Sequence, residues 1–448
     1  MNPFLILLGL YVIAGSAVAL IVHRARQSQE DYFIGGRRIG GVVSALTYAA
    51  TTYSAFMMVG LVGLSFQTGI GALIFELSYL VGTVILLMVY GRKIWTMGRE
   101  KGLISPMELF SWRYGRFSGI LGTVIAILAL IPYTSGQVIG LALIFRSFGG
   151  FNFTTGAVFA AVIVAFWALL GGLRGVAITD AFQGIFMILS ALAGFFWVHG
   201  RFQGIEVQRF PSEFWTTSQF INFTLPWFFF ALTNPQVVQR LFIPKDRKAL
   251  NRMILYFALF GLLYTLIVTF IGFFARHGAE SGAFPSASER DSVIISILSM
   301  MGSWLSIPIA LSIIFAAVST ANSIILTLSS MVVRDLFQAK GKVWIGRTVI
   351  LLLTLLVFLF SLLRPNYIVE LSVASSSILL CFLPLLFGLF HLKQGGALAA
   401  SFSLIAGTGA ALILRVSGVQ LSSVYTLLAA FSAFFLGYLL DRAVQRGT

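Results

Sequence analysis

The sequence predicts an all-α polytopic membrane protein of about thirteen transmembrane helices, with the N-terminus out and the C-terminus in. Composition comes first. Hydrophobic residues make up 58% of the 448-residue chain and charged residues 10%, far below the roughly 25% charge of a soluble domain, so a soluble fold is excluded. Length comes second. A helix needs about 20 apolar residues to span the hydrocarbon core, and such segments fill nearly the whole chain. They lie near 3–22, 41–68, 70–96, 118–147, 154–171, 177–199, 222–243, 250–275, 303–333, 343–363, 366–390, 397–415 and 420–440. Charge comes third. If the first segment ends in the cytoplasm, alternate loops hold 23 of the 30 Lys and Arg residues, around 24–38, 92–116, 174, 240–252, 334–347, 393 and 442–446. The positive-inside rule then orients the chain. The formal charge of +15 is thus an orientation signal rather than a mark of nucleic-acid binding.

The first segment has no basic residues before it, and its charges follow at His23, Arg24 and Arg26. That is the pattern of a retained N-out anchor rather than a cleaved signal peptide. The second segment is polar where it should be apolar, over Ser44-Ala45-Leu46-Thr47-Tyr48-Ala49-Ala50-Thr51-Thr52-Tyr53-Ser54, followed by Gly60 and Gly63. Such a stretch weakens the helix and leaves carbonyls free within the membrane. Residues 97–117 mix charge with Leu103, Met107, Leu109 and Phe110, which predicts a short interfacial amphipathic helix or an ordinary loop. The seventh segment is interrupted by Pro226 and by Asn234-Pro235, since proline removes a backbone donor. Residues 276–302 contain an apolar run, Val293–Met301, that is either a lid over the outer mouth or simple loop.

The interrupted segments are the second and the seventh, five apart. A repeat of five crossings places its second copy upside down, and paired broken helices in such a repeat mark a midplane binding site. In the ninth segment Ser312, Ala316, Ser319, Ser323, Thr327 and Ser330 recur at three- and four-residue steps on one helix face, with Thr320 and Asn322 beside them. The stripe has two readings. Small and hydroxyl residues line tight helix contacts in membranes; hydroxyls facing freed carbonyls also suit a hard cation, which prefers oxygen ligands.

Other chemistry is not indicated. The single Cys381 permits no intrachain disulfide, the four histidines are scattered, and no phosphate-binding loop or nucleophile motif occurs. The reading is therefore not an enzyme and needs no cofactor. Transport without a fuel-burning module draws on an ion gradient or runs downhill.

Several motifs in order then resemble one family. They are Asp31-Tyr32-Phe33-Ile34-Gly35-Gly36-Arg37, Thr179-Asp180-Ala181-Phe182-Gln183, Asn234-Pro235-Gln236-Val237-Val238-Gln239-Arg240, and Ala316-Ala317-Val318-Ser319-Thr320 leading to Ser329-Ser330 and Arg334-Asp335-Leu336. From residue 31 to about 390 the chain resembles the sodium:solute symporters, including those for proline, sugars, sialic acid and pantothenate. The resemblance implies the leucine-transporter-type fold, a five-plus-five inverted repeat. Residues 1–40 would form an extra helix and cytoplasmic loop, 41–200 the first repeat, 201–390 the second, and 391–448 two further helices. It implies Na⁺ as coupling ion, a small organic solute imported by alternating access, and a bacterial inner membrane as location; the oligomeric state stays open.

The family's sodium ligands carry over to the carbonyls of Ala50, Tyr53 and Ala316 and the hydroxyls of Ser319 and Thr320. Proline-transporting members have an aspartate where this chain has Thr52, which speaks against proline. Ser54, Phe56 and Met57 on the first broken helix and Trp227, Phe230 and Asn234 on the second are expected to face the solute. Glu76 matches a substrate-binding carboxylate of sugar-transporting relatives; otherwise it belongs to a buried polar network or the outer mouth. Asp180 resembles the family's acid on the sodium exit path; otherwise it is a helix N-terminal charge favoured by the dipole. Glu370 reads as an interfacial acid. Two alternatives remain: a proton-coupled carrier using Glu76 or Asp180, and a sensor or channel on the same scaffold.

Overall fold

The computed structural model describes residues 2–23, 28–285, 289–363, 367–392 and 395–447, and its regular elements are helices. Ten of them are long and apolar enough to cross a membrane, and the bent pair Gly41–Thr52 and Phe56–Thr68 raises the number to eleven. Two predicted regions account for the difference from thirteen. The segments at 154–171 and 177–199 are one helical run of 50 residues, Phe153–Phe202. The segment at 222–243 is divided into Thr217–Phe228, Phe230–Thr233 and Pro235–Arg240, none of them long enough alone. The region 97–117 also differs. The preceding helix runs on to Glu100, and a separate short helix covers Glu108–Tyr114.

A straight helix of 50 residues would be about 75 Å long, more than twice the hydrocarbon thickness. The run is broken at Gly172, where the backbone leaves helical geometry (φ 50, ψ −166). Such a break strands the carbonyls one turn earlier. Tyr32 fills the notch, its buried hydroxyl donating to the Ala168 carbonyl at 2.9 Å and to that of Leu169 at 3.2 Å. The Asp31-Tyr32-Phe33 motif thus caps a helix break 140 residues away in sequence.

The Ser303–Met331 helix is buried from Ile309 to its end, while Trp304 in its first turn is exposed. It packs against Phe153–Phe202, Arg116–Gly149 and Gly41–Thr52, while the flanking helices expose residues such as Leu10, Leu128, Leu259 and Leu355. That distribution suits a bundle whose outer face meets lipid. Several basic loops gather at one end. Arg37 donates to the Leu103 carbonyl at 2.6 Å, Arg99 to the Lys245 carbonyl at 2.5 Å, Arg113 to the Gly395 carbonyl at 2.8 Å, and Arg334 pairs with Glu108 at 2.6 Å. Arg24, Arg26 and Lys393 lie outside the described residues.

In the 276–302 segment, part of the predicted apolar run forms a helix, Val293–Ser299, with Val293, Ile294, Ile297 and Leu298 buried. It rests on the Phe56–Thr68 half of the first broken helix. A Cβ on Gly63 would sit 2.0 Å from the Arg290 carbonyl oxygen, so the close approach needs glycine. Glu370 is more than an interfacial acid: it pairs with Arg290, which also lies over the Tyr367 ring at 4.5 Å. Asp291 caps the helix that begins at Ile368, accepting from its N–H at 3.0 Å, and burial pushes its carboxyl up to about 6.

The Gly172 break yields a prediction. A Cβ there would lie 2.7 Å from the Tyr32 carbonyl oxygen and force an unfavourable backbone region. Gly172→Ala is expected to cost about 1–3 kcal/mol from the backbone alone, read as a lowered midpoint of thermal unfolding in detergent. An unchanged midpoint would mean that the break is not a fixed feature of the fold.

Candidate ion and solute sites

Gly41–Thr52 ends because Tyr53 turns out of helical geometry (φ −86, ψ 89), and the chain resumes beyond Ser54 bent by 51°. Carbonyls near the end of the first half therefore lose their in-helix partners. The Ser303–Met331 helix supplies hydroxyls to them. Ser319 Oγ donates to the Ala50 carbonyl at 2.8 Å and lies 3.0 Å from that of Ala316. Thr320 Oγ1 is 3.0 Å from the Ala50 carbonyl and 3.2 Å from that of Thr51. Four expected ligand residues, Ala50, Ala316, Ser319 and Thr320, thus meet in one buried junction of neutral oxygens. Tyr53 is adjacent along the chain, but its ring points into a cluster with Phe257 and Tyr264. Thr52 turns its hydroxyl back to the Tyr48 carbonyl at 2.6 Å.

Beyond the break, the first N–H groups of the second half need acceptors. Gln137 Oε1 takes the Ala55 N–H at 3.1 Å, and Ser54 Oγ takes that of Phe56 at 3.1 Å. Ser54 is therefore used in capping. Phe56 faces Trp227, with ring centres 5.0 Å apart. Around Trp227 stand Phe230 at 5.1 Å, Tyr79 at 5.8 Å and Phe75 at 6.0 Å. Glu76 lies among these rings, 1% exposed, its carboxylate accepting from Trp227 Nε1 at 3.3 Å. Phe56, Glu76, Trp227 and Phe230 are thus brought together. Met57 is buried on the same helix. Asn234 sits at the second break, donating to Thr233 Oγ1 at 3.3 Å, with its Oδ1 buried and unpartnered.

The serine-threonine stripe faces other helices over most of its length. Ser323 is hydrogen-bonded to Thr51 at 2.9 Å, and Thr327 donates to Gln239 Oε1 at 2.7 Å. Ser312 turns to its own helix, at the Ile309 carbonyl. Asp180 is not at a helix N-terminus: it lies two turns beyond Gly172, fully buried, and accepts from Thr47 Oγ1 at 2.6 Å. The dipole reading of Asp180 is thereby replaced by a contact with the first broken helix. Phe75 and Tyr79 carry no signal in the sequence beyond aromaticity, whereas Gln137, a polar residue in an apolar segment, does carry one. Sequence reasoning passed over all three and also counted Arg240 as a loop cation, although a charge inside an apolar segment is itself a signal. Arg240 is fully buried and donates to Ser323 Oγ at 2.5 Å.

Comparison with known proteins bears on this arrangement. The Sodium:solute symporter family profile matches residues 32–407. The chain is 24% identical to the sodium/pantothenate symporter of Haemophilus influenzae, over 97% of this chain and 95% of that one. It is 27% identical to the osmoregulated proline transporter of Bacillus subtilis (95% and 92%) and 26% identical to the sodium/proline symporter of Escherichia coli (79% and 76%). Among solved structures it superposes on a Na⁺-coupled sialic acid symporter in a substrate-bound outward-open state, with TM-score 0.85, 18% identity and 98% of both chains covered. A nucleobase-cation-symport-1 family transporter in a closed conformation matches with TM-score 0.60 and 14% identity, over 94% of this chain and 96% of that one. These likenesses show a shared fold, that of the leucine-transporter-type carriers. With the family profile covering most of its length, the chain belongs to the sodium:solute symporter family.

Proposed function

We propose that this protein is a Na⁺-coupled symporter that imports a small organic solute by alternating access. One observation carries the reading: two hydroxyls of an unbroken helix, Ser319 and Thr320, converge on carbonyls at the break of another. A hard cation takes oxygen ligands, and on binding it would take up the oxygens that now bond one another. Na⁺ then ties Gly41–Thr52 to Ser303–Met331 and orders the chain around Ser54 and Phe56, next to the solute. Tyr53 contributes its carbonyl as a fifth ligand, and Asp180 stands on the path by which the ion leaves.

The rest of the arrangement fits this mechanism. Gly172 and the interruptions at Phe229 and Asn234 divide the two exceptional regions so that the chain crosses the bilayer thirteen times. The basic loops face the cytoplasm of a bacterial inner membrane, with the N-terminus out. Residues 41–200 and 201–390 are the two inverted repeats, 1–40 the preceding helix and loop, and 391–448 the two that follow. Rocking of the bundle against its scaffold alternates access. Na⁺ and solute each raise the other's affinity by the same factor.

The pocket narrows the solute class. Among the described residues Glu76 has only the Trp227 indole N–H as a hydrogen-bond partner, inside a box of aromatic rings. A carboxylate buried this way favours a solute that brings a donor, an amine or hydroxyl, next to an apolar body that packs on Phe56, Trp227 and Phe230. Ser54, Met57 and Asn234 complete the lining. With Thr52 in place of an aspartate and its hydroxyl spent on its own helix, proline fits poorly.

Thermal unfolding in NaCl against KCl at equal ionic strength tests the ion reading. A ligand of the folded state adds about 1.4 kcal/mol of stability at ten times its dissociation constant. A Na⁺-specific rise in midpoint is expected for the wild type and is lost in Ser319→Ala/Thr320→Ala; the same rise in the double variant would refute the ion site. Glu76→Gln is expected to keep the Na⁺ response and lose stabilisation by donor-bearing solutes. Intact solute stabilisation in Glu76→Gln would remove Glu76 from the pocket.

A further inference from the structure

Arg240 is a buried cation with too few partners. It is 0% exposed and among the largest fully buried side chains. Its Nη2 donates to Ser323 Oγ at 2.5 Å, while Nε and Nη1 have no hydrogen-bond partner among the described residues. The charge acting on it is the carboxylate of Asp180, yet the two do not form one of the ion pairs found among the described residues. Asp180 in turn has Oδ1 buried and unpartnered, and so are both amide ends of Gln236, one turn before Arg240 on the same helix. Nearly all buried polar groups in proteins are satisfied, and intramembrane charges line ion and substrate pathways. These unpartnered atoms therefore mark a buried polar cluster that lacks its full set of partners.

The cluster adjoins the proposed ion junction. Ser323, the hydroxyl that Arg240 holds, is bonded to the Thr51 hydroxyl, and the Thr51 carbonyl receives Thr320. Arg240 thus reaches the proposed Na⁺ site through two side chains, one on each helix that the ion would join. On the sodium reading above, we propose that the Arg240 guanidinium is a tethered cation competing with Na⁺ for Ser323 and Asp180. It limits how tightly Na⁺ is held and bars the ion's inward escape when no solute is bound. The physical basis is short. Like charges repel strongly where water is scarce, so an ion approaching Asp180 must displace the guanidinium. Only a movement that separates Pro235–Arg240 from Ser303–Met331 breaks the bond to Ser323 and clears the path. Arg240 is therefore a positioning residue that couples the ion's exit to the conformational change.

The test uses the full-length protein, with Na⁺ alone as ligand. Thermal unfolding across a NaCl series gives the half-saturating concentration, and proteoliposomes report ²²Na⁺ entry without solute. Arg240→Gln is expected to lower the half-saturating Na⁺ roughly tenfold and to admit Na⁺ without solute; Arg240→Lys should restore both values towards wild type. A folded Arg240→Gln protein with wild-type half-saturation and no leak overturns the proposal. If Arg240→Gln does not fold, Asp180→Asn/Arg240→Gln removes both charges together; it should still leak, and a tight double variant equally overturns the proposal. A wild type with no Na⁺-specific response means that the sodium reading itself has failed. A Na⁺ response identical in wild type and Arg240→Gln, with no leak in either, leaves that reading standing and removes only the role of Arg240.

Discussion

The structure turns on one junction: the carbonyls near the end of Gly41–Thr52 meeting the hydroxyls of Ser319 and Thr320. A helix interrupted inside a membrane leaves backbone groups that water cannot satisfy, each costing several kcal/mol if left alone. Here a neighbouring helix satisfies them with side chains. That neighbour is buried from Ile309 onwards and packs on the first broken helix as well as on two of the longest helices. The same weakness that demands the junction also makes it exchangeable, because hydroxyl-to-carbonyl bonds can give way to a cation without leaving an orphaned group.

The other irregular backbone follows the same logic. At Gly172 the freed carbonyls of Ala168 and Leu169 are taken by Tyr32. At the start of the second half of the first broken helix, Gln137 and Ser54 take the orphaned N–H groups. Both of these breaks are met by residues from elsewhere or from their own flanks. Among the buried polar atoms without a partner within the described residues are Asp180 Oδ1, both amide ends of Gln236, and Nε and Nη1 of Arg240.

The proposed ion and solute regions are linked through a few residues. Ala50 lies at the end of one half of the broken helix and Phe56 at the start of the other, so ordering the first positions the second against Trp227 and Glu76. On the far side of Phe56–Thr68, the Val293–Ser299 helix is held by the Arg290–Glu370 pair and by Asp291 on Ile368. The broken helix therefore touches the ion junction, the aromatic box and the lid-like helix at once. A rigid helix would separate these contacts; a broken one lets each half respond to its own partner.

Sequence alone determined the membrane class, the apolar segments, the interruption near Thr52 and at Asn234-Pro235, and the hydroxyl stripe from Ser312 to Ser330. All of these are local, since hydropathy and helical periodicity are properties of a few neighbouring residues. The family resemblance also singled out Ala50, Tyr53, Ala316, Ser319 and Thr320. Tertiary structure alone decided the partners: that Ser54 caps its own helix, that Trp227 reaches Glu76, that Tyr32 fills the Gly172 notch, and that Asp180 faces Thr47. It also moved Arg240 from loop to core. The reason is geometric. A polar residue in an apolar segment announces that it must be satisfied, but its partner depends on crossing angles and helix breaks set by residues more than a hundred positions away.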